Sequence, residues 1–302
     1  MSFTWDINPE IFRLGPLAVR YYGLLFVGVF LGGFYFLRWQ MMRVGWKEED
    51  VSDFIIPGML AVILGARLGH VFFYEPGYYL SHPAQIIQFW KGGLASHGAT
   101  LGLIVAIIYY AMRKKISIAE VADRFSFSAA LGATLVRLGN FFNSEIVGRV
   151  TGGSWGVRFP RSHEDRALAF ANQEVPLRHP SQLYEALMGA AIILVLYLTD
   201  KALGEKRPRG LLGAMFLSLY FTARFIVEFF KEYQTGLKEH HLLTMGQVLS
   251  IPLALAGYIW LFIAIKQNKP AQSRVPYSEE KATVSKSKPG SGKNSGKRKK
   301  RK

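Results

Sequence analysis

The chain has 302 residues, of which 50% are hydrophobic and 14% aromatic, and its formal net charge at pH 7 is +16. Charged residues account for only 19% of the chain, whereas soluble domains average about 25%. The sequence contains no cysteine, which excludes disulfides, thiolate metal sites and a cysteine nucleophile. Residues 266–302 carry 13 Lys and Arg against two Glu, so most of the positive charge belongs to this tail. The body, residues 1–265, has the composition of a membrane protein.

Seven apolar segments predict membrane-spanning helices, each of which needs about 20 largely apolar residues. In chain order they are 21–37, 54–74, 92–112, 125–143, 184–199, 210–230 and 242–265. The first, third and last contain no Asp, Glu, Lys or Arg, whereas one or two ionisable residues interrupt each of the others. The fifth segment is also compatible with a short helix in a soluble core. We therefore predict an all-α integral membrane protein with about seven transmembrane helices.

Basic residues in the connecting segments predict the orientation, because Lys and Arg accumulate in short cytoplasmic loops. With the N-terminus outside, the cytoplasmic segments 38–53, 113–124, 200–209 and 266–302 hold 24 Lys and Arg, and the outer segments hold 10. We therefore predict an outer N-terminus and a cytoplasmic C-terminus. The outer segment 144–183 is too short for a core of its own and is predicted to form a small extracytoplasmic head. The tail 266–302, rich in Lys, Ser, Gly and Pro, is predicted to be disordered.

Ionisable residues inside the predicted helices point to function, because a charge at bilayer depth costs about 2.5–3.5 kcal/mol and usually faces an interior. Arg224 and Glu228 are four residues apart, so they share a helix face and can pair. That pair is compatible with a functional site or with a buried ion pair that only fixes helix packing. Arg67 and His70 allow the same two interpretations, and here a structural role is favoured. His97 lies in a glycine-rich stretch that lets a lipid headgroup come close, although a lone histidine is also typical of a hydrogen-bonded core residue.

The segment 137–149 is the densest in polar groups. Arg137 and Asn140 share a helix face, and Glu145 and Gly148 follow where the helix should leave the membrane. A guanidinium presents a planar fork of donors that matches phosphate oxygens, and an Asn amide adds a neutral donor and acceptor. The pattern predicts a phospholipid headgroup site at the outer leaflet. The alternative is an amphipathic helix end with a snorkelling arginine.

Other chemistries lack their motifs in this sequence. The remaining histidines do not have the spacing of metal ligands, and there is no Walker loop or dinucleotide fingerprint, so we expect no metal and no cofactor. The sequence contains no motif of a folded nucleic-acid-binding domain next to the basic run 297–302. We expect this run to contact anionic membrane lipids rather than nucleic acid, or to be an idle solvated tail. A transporter or lipid scramblase, and a scaffold that recruits partners through its tail, are the alternatives to a lipid-using enzyme.

Five motifs between about residues 11 and 265 resemble, in matching order, the signatures of the bacterial prolipoprotein diacylglyceryl transferases. They are YYG at 21–23, SHG at 96–98, RLGNFFNSEIVG at 137–148, HPSQLYE at 179–185 and RFIVEFF at 224–230. The resemblance implies a seven-helix protein of the bacterial inner (plasma) membrane with its N-terminus outside. It also implies an enzyme that moves a diacylglyceryl group from phosphatidylglycerol to the lipobox cysteine thiol of a preprolipoprotein. The products are a thioether and glycerol-1-phosphate, in the first step of lipoprotein maturation.

The resemblance also implies roles for single residues. Arg137 and Arg224 would hold the phosphate of phosphatidylglycerol, and Glu228 would orient Arg224. The other positions that match functionally sensitive positions of the family are Tyr22, His97, Gly98, Asn140, Glu145 and Gly148. One departure is Ala99, since the family usually has His-Gly-Gly where this chain has His-Gly-Ala.

His97 is our hypothesis for the general base. The cysteine thiol has an ordinary pKa of about 8.5, and it must lose its proton to become a strong nucleophile. His97 is the well-placed side chain of a type that titrates near neutrality. In the alternative mechanism, arginines lower the pKa of the thiol and His97 only positions the lipid.

Overall fold

Seven long helices occupy the positions of the seven predicted segments in the structure, a computed structural model that describes residues 2–15, 17–88, 92–232 and 243–272. The helices are α1 Tyr21–Met42, α2 Glu48–Phe73, α3 Pro76–Ser81, α4 Ser96–Lys114, α5 Ile118–Phe142, α6 Arg166–Phe170, α7 Ser181–Leu203, α8 Leu211–Val227 and α9 Met245–Gln267. The strands are β1 Ser2–Thr4, β2 Glu10–Leu14, β3 Leu17–Arg20 and β4 Gly156–Arg158. Single 3₁₀ turns follow α3, α7 and α8.

Five of the described helices are long and apolar enough to cross a membrane: α1, α2, α7, α8 and α9. The protein is therefore a multi-pass helical membrane protein. Helices α4 and α5 do not meet the same measure of length and composition. Helix α5 begins at Ile118 rather than at residue 125, so that Glu120, Asp123 and Arg124 fall within its first two turns.

The long helices pack around α5, mostly as antiparallel pairs. Helix α2 lies against α4, α1 and α7 lie against α5, and α8 lies against α9. Helix α5 also packs on α8, which runs parallel to it. Because successive long helices run in opposite directions, α1, α4, α7 and α9 begin at the end of the bundle where α2, α5 and α8 finish. We call this end the site end, since every predicted site residue lies at it or just beyond it.

Helices α2 and α4 cross with their backbones in contact. A Cβ added to Gly98 would overlap the carbonyl oxygen of Gly65, and one added to Gly102 would overlap that of Ala61. Small residues allow this close approach of two membrane helices. The structure therefore gives Gly98, which the sequence assigned to lipid binding, a role in helix packing.

We expect Gly98→Ala to destabilise the protein by about 1–3 kcal/mol, the usual cost of overpacking a tight contact. The added methyl group would meet the Gly65 backbone, which has no rotamer by which to move away. The measurement is the thermal unfolding midpoint in detergent. Gly23→Ala in α1 is the matched control, because a Cβ there meets nothing within 4 Å. Equal midpoints for the two variants would contradict the packing role.

The head includes the N-terminal strand as well as the predicted segment 144–183. Strand β1 pairs in parallel with β4, and the Trp5 ring packs on Phe141 with ring centroids 4.3 Å apart. Phe141, Val147, Val157 and Phe159 form a buried cluster beneath this contact. The head thus shares its core with the end of α5, which explains how so short a segment is held. These strands and the β2–β3 hairpin are short additions to a mostly helical chain, which agrees with the predicted all-α membrane protein.

Arg178 ties the head together from its centre. Its Nε and Nη2 each lie 2.7 Å from an Asp165 carboxylate oxygen, and its Nη1 donates to the Gly148 carbonyl at 3.1 Å and to Glu232 at 2.8 Å. Burial alone would lower the pKa of Arg178, but its hydrogen bonds to Asp165 and Glu232 raise the pKa above its ordinary value. The guanidinium therefore stays charged and holds the segments that contain Gly148, Asp165 and Glu232 against its own segment.

The opposite end of the bundle is closed by ion pairs and by the start of the tail. Arg43 binds Asp200 at 2.5 and 2.6 Å. Beyond α9, the backbone N–H of Gln272 donates to Glu120 at 2.8 Å, and the Gln272 side chain accepts from the backbone N–H of Ser117 at 2.8 Å. Residues 266–272 are thus ordered, contrary to a tail disordered from residue 266. Residues 273–302 lie outside the described part of the chain.

Candidate active site

Arg137 is the centre of the site. It lies near the end of α5, and its Nε is 3.0 Å from an Oε of Glu185 in the first turns of α7. Its Nη1 donates to the Asn140 side-chain oxygen at 3.3 Å, and it interacts electrostatically with the hydroxyls of Tyr22 on α1 and Tyr220 on α8. Four helices therefore converge on one guanidinium, and the sequence-predicted residues Tyr22, Arg137 and Asn140 come together.

Glu145 completes this group by folding back toward the helix end. Ser144 and Ile146, on either side of it, have φ of 53° and 57°, in the left-handed region that side chains other than glycine seldom adopt. The turn lets the Glu145 carboxylate accept from the amides of Asn140 at 3.3 Å and Asn143 at 3.2 Å. The Gln182 amide at the start of α7 donates to the Glu145 carbonyl at 2.7 Å.

Gly148 joins the head to the end of α8. Its backbone N–H donates to the His179 carbonyl at 3.0 Å, and the next N–H, that of Arg149, donates to the Phe230 carbonyl at 2.8 Å. A Cβ on Gly148 would overlap the His179 carbonyl and lie 2.7 Å from the Phe230 oxygen. This position has room only for glycine, which is a structural reason for the glycine of the motif. Lipid binding by Gly148 stays a prediction.

The predicted Arg224–Glu228 ion pair is not formed. Helix α8 ends at Val227 and continues as a 3₁₀ turn over Glu228–Phe230, and the Glu228 backbone N–H still donates to the Arg224 carbonyl. Glu228 instead lies 3.1 Å from the Lys231 ammonium. Within the described residues, no hydrogen bond or ion pair engages the Arg224 side chain. It lies one helical turn beyond Tyr220, on the same face of α8.

Lys231 and Glu185 are site residues that the sequence assignment missed. The Lys231 side chain is only 4% exposed, and its Nζ lies 3.9 Å from Glu185 as well as 3.1 Å from Glu228. Glu185 therefore connects Arg137 and Lys231. The position of Lys231, three residues after Glu228, could have suggested that these two side chains pair. Nothing in the sequence shows that Glu185, in the first turns of α7, also approaches Lys231.

His97 stands apart from this network. It is the second residue of α4 and is solvent-exposed, and within the described ranges it has no hydrogen bond or ion pair. Arg67 has a structural role, since it donates to the backbone carbonyls of residues 85, 86, 92 and 93 at 2.6–3.1 Å. These contacts hold the loop that leads to α4. His70 stacks on Tyr74 with ring centroids 5.5 Å apart.

The fold and the site define a class of protein: a multi-pass helical membrane protein with arginines and carboxylates gathered at one end of the bundle. The sequence model of the prolipoprotein diacylglyceryl transferase family matches residues 9–263, and the chain belongs to this family. It is accordingly a membrane-embedded transferase.

Curated relatives agree over most of the chain. A phosphatidylglycerol–prolipoprotein diacylglyceryl transferase from Chloroherpeton thalassium is 43% identical over 265 residues, which cover 87% of this chain and 94% of the relative. One of the same name from Porphyromonas gingivalis is 42% identical over 279 residues, with coverage of 89% and 96%. A third, from Geobacter sulfurreducens, is 42% identical over 256 residues, with coverage of 83% and 93%.

Proposed function

We propose that the chain transfers the diacylglyceryl group of phosphatidylglycerol to the lipobox cysteine thiol of preprolipoproteins. The observation that carries this proposal is Arg224, a cation in an apolar helix without a partner among the described residues. An unpaired charge at membrane depth is costly, so a bound anion is expected to compensate it. A lipid phosphate has the right charge, and it reaches the site from within the bilayer.

The charges around Arg224 support an anion at this place. Arg137 is paired with Glu185, and Lys231 is paired with Glu228 and Glu185. These pairs leave Arg224 as the cation available to a ligand. Arg137 retains donors beyond the Nε that faces Glu185, so the two guanidinium groups can share one phosphate.

The reaction follows from this arrangement. The thiolate sulfur of the peptide attacks the glyceryl carbon, the carbon–oxygen bond to the phosphate breaks, and its electron pair leaves with glycerol-1-phosphate. Negative charge gathers on the leaving phosphate. Arg137 and Arg224 stabilise that charge, and such donors are strongest where little water is present. The proton of the thiol passes to a base, for which His97 is the candidate.

We further propose seven transmembrane helices, with the site end facing outward and the opposite end in the cytoplasm, in the bacterial inner membrane. The excess of Lys and Arg in the connecting segments at the opposite end supports this orientation. The expected partners are phosphatidylglycerol, the signal peptide of a preprolipoprotein and membrane lipids, and not nucleic acid.

The experiment that tests the function combines purified protein in detergent, phosphatidylglycerol and a lipobox peptide. The expected result is a diacylglyceryl mass increase on the peptide thiol and release of glycerol-1-phosphate. A peptide with serine in place of the cysteine is the control and should not gain mass. Folded protein that gives no product would favour the transporter or scramblase interpretation.

We expect His97→Gln to lower kcat by about 10²–10⁴-fold, the usual contribution of a general base. The loss should appear in kcat, because a glutamine side chain cannot take the proton of the thiol. The measurement is a pH profile of the transfer reaction. His82→Gln serves as the control, because His82 is exposed and its ring bonds only the Tyr78 carbonyl, at 3.0 Å. Near-normal turnover of the His97 variant at every pH would leave His97 with a positioning role only.

A further inference from the structure

We propose that Lys231 is a positioning residue that holds the Glu228 carboxylate away from Arg224 and so keeps Arg224 free for the lipid phosphate. This inference rests on the proposed function. It concerns a residue outside the sequence-based assignment, in which Glu228 was expected to orient Arg224 directly.

The contacts of Glu228 carry the first step. Its carboxylate is largely buried and lies 3.1 Å from the Lys231 Nζ. On its other side it faces the start of α9, where a Cβ on Gly246 would lie 2.5–2.6 Å from the two carboxylate oxygens. Lys231 is itself buried at 4% exposure and also faces Glu185 at 3.9 Å. Glu228 is therefore confined between Lys231 and the α9 backbone.

The consequence for Arg224 is electrostatic. A buried carboxylate without a cation is costly, so removal of the Lys231 ammonium would drive Glu228 toward another positive charge. Arg224 precedes Glu228 by one helical turn, within reach of an ion pair. Glu228 would then compete with the phosphate for the same guanidinium.

The Lys231 backbone has separate tasks that a side-chain substitution leaves intact. Its N–H donates to the Glu228 carbonyl at 3.3 Å, and its carbonyl accepts from the Arg149 Nε at 2.9 Å. The residue also forms a β-bridge with Gly148. A change of side chain at position 231 therefore tests the ammonium group rather than the path of the chain.

The test measures binding of phosphatidylglycerol to the full-length protein in detergent, together with the transfer reaction of the wild type. Lys231→Met should weaken lipid binding by about tenfold, since one charged hydrogen bond is worth that much or more. Lys231→Arg, which keeps the cation, should bind within about threefold of wild type. The Michaelis constant for the peptide should stay unchanged in Lys231→Met.

A second substitution separates positioning from simple support of the fold. Glu228→Gln removes the competing charge, so the Glu228→Gln/Lys231→Met double variant should bind lipid as tightly as Glu228→Gln alone. Weaker binding by the double variant would overturn the proposal, and this comparison holds even if Lys231→Met alone does not fold. The proposal would also be overturned if the wild type transfers lipid and Lys231→Met binds phosphatidylglycerol as tightly as the wild type does. Wild-type protein without binding or transfer would instead refute the proposed function.

Discussion

Arg137→Ala is expected to lower kcat/KM for lipid transfer by about 10²–10³-fold or more, because it removes a donor aimed at the leaving phosphate in a site with little water. It should also destabilise the protein. Glu185 would lose its 3.0 Å partner and keep only Lys231, at 3.9 Å, and a buried carboxylate with a missing partner costs about 3–5 kcal/mol. The measurements are initial rates in the transfer assay and the thermal unfolding midpoint.

The control for Arg137→Ala is Arg161→Ala in the head. Arg161 pairs with Asp6 at 2.6 Å, and both side chains are well exposed, so this pair should contribute about 0–1 kcal/mol. Its removal should leave transfer within about twofold of wild type. If Arg137→Ala transferred lipid at the control rate, the phosphate site would have to lie elsewhere.

Arg224→Ala is expected to cause a similar loss of transfer, about 10²–10³-fold, with the opposite effect on stability. Arg224 has no partner within the described residues, and its charge in an apolar helix is unfavourable without a ligand. Its removal should leave the unfolding midpoint of the lipid-free protein unchanged or raised. Added phosphatidylglycerol should raise the midpoint of the wild type by mass action and should not raise that of the variant.

Arg224→Lys completes this comparison. A lysine keeps the charge but loses the planar fork that binds two phosphate oxygens, so the variant should retain a small part of the activity. A lower midpoint for lipid-free Arg224→Ala, comparable with that of Arg137→Ala, would show that Arg224 is a structural cation and would remove the main support for the proposed function.

The sequence predicted the part of the site that lies on one continuous helix. Helical spacing placed Arg137 beside Asn140, and in the structure Arg137 also faces Tyr22. The same spacing misled at Arg224 and Glu228, because the Glu228 carboxylate faces Lys231 at 3.1 Å instead. Residue spacing alone does not show which of two nearby cations a carboxylate pairs with.

Contacts between distant elements were beyond what the sequence could predict. Glu185 and Lys231 lie 46 positions apart in the numbering, and they meet only because α7 and the end of α8 pack side by side. Gly98 is a second example. Its place beside the candidate base His97 suggested close approach of a ligand, but in the structure Gly98 packs against the α2 backbone. The head was predicted to consist of residues 144–183. Nothing in the sequence near these residues shows that β1, at the N-terminus, pairs with β4 of the head.

The pairing of β1 with β4 has a consequence for biosynthesis. Ser2–Thr4 leave the ribosome before Gly156–Arg158, which follow only after α1, α2, α4 and α5. Strand β1 must therefore already lie at the site end, with its edge unpaired, when β4 reaches it. A bulky folded domain fused ahead of residue 2 would block the edge of β1 with which β4 has to pair. Because Trp5 packs on Phe141, one turn of helix from Arg137, such a fusion would disturb the assembly of the reaction centre itself.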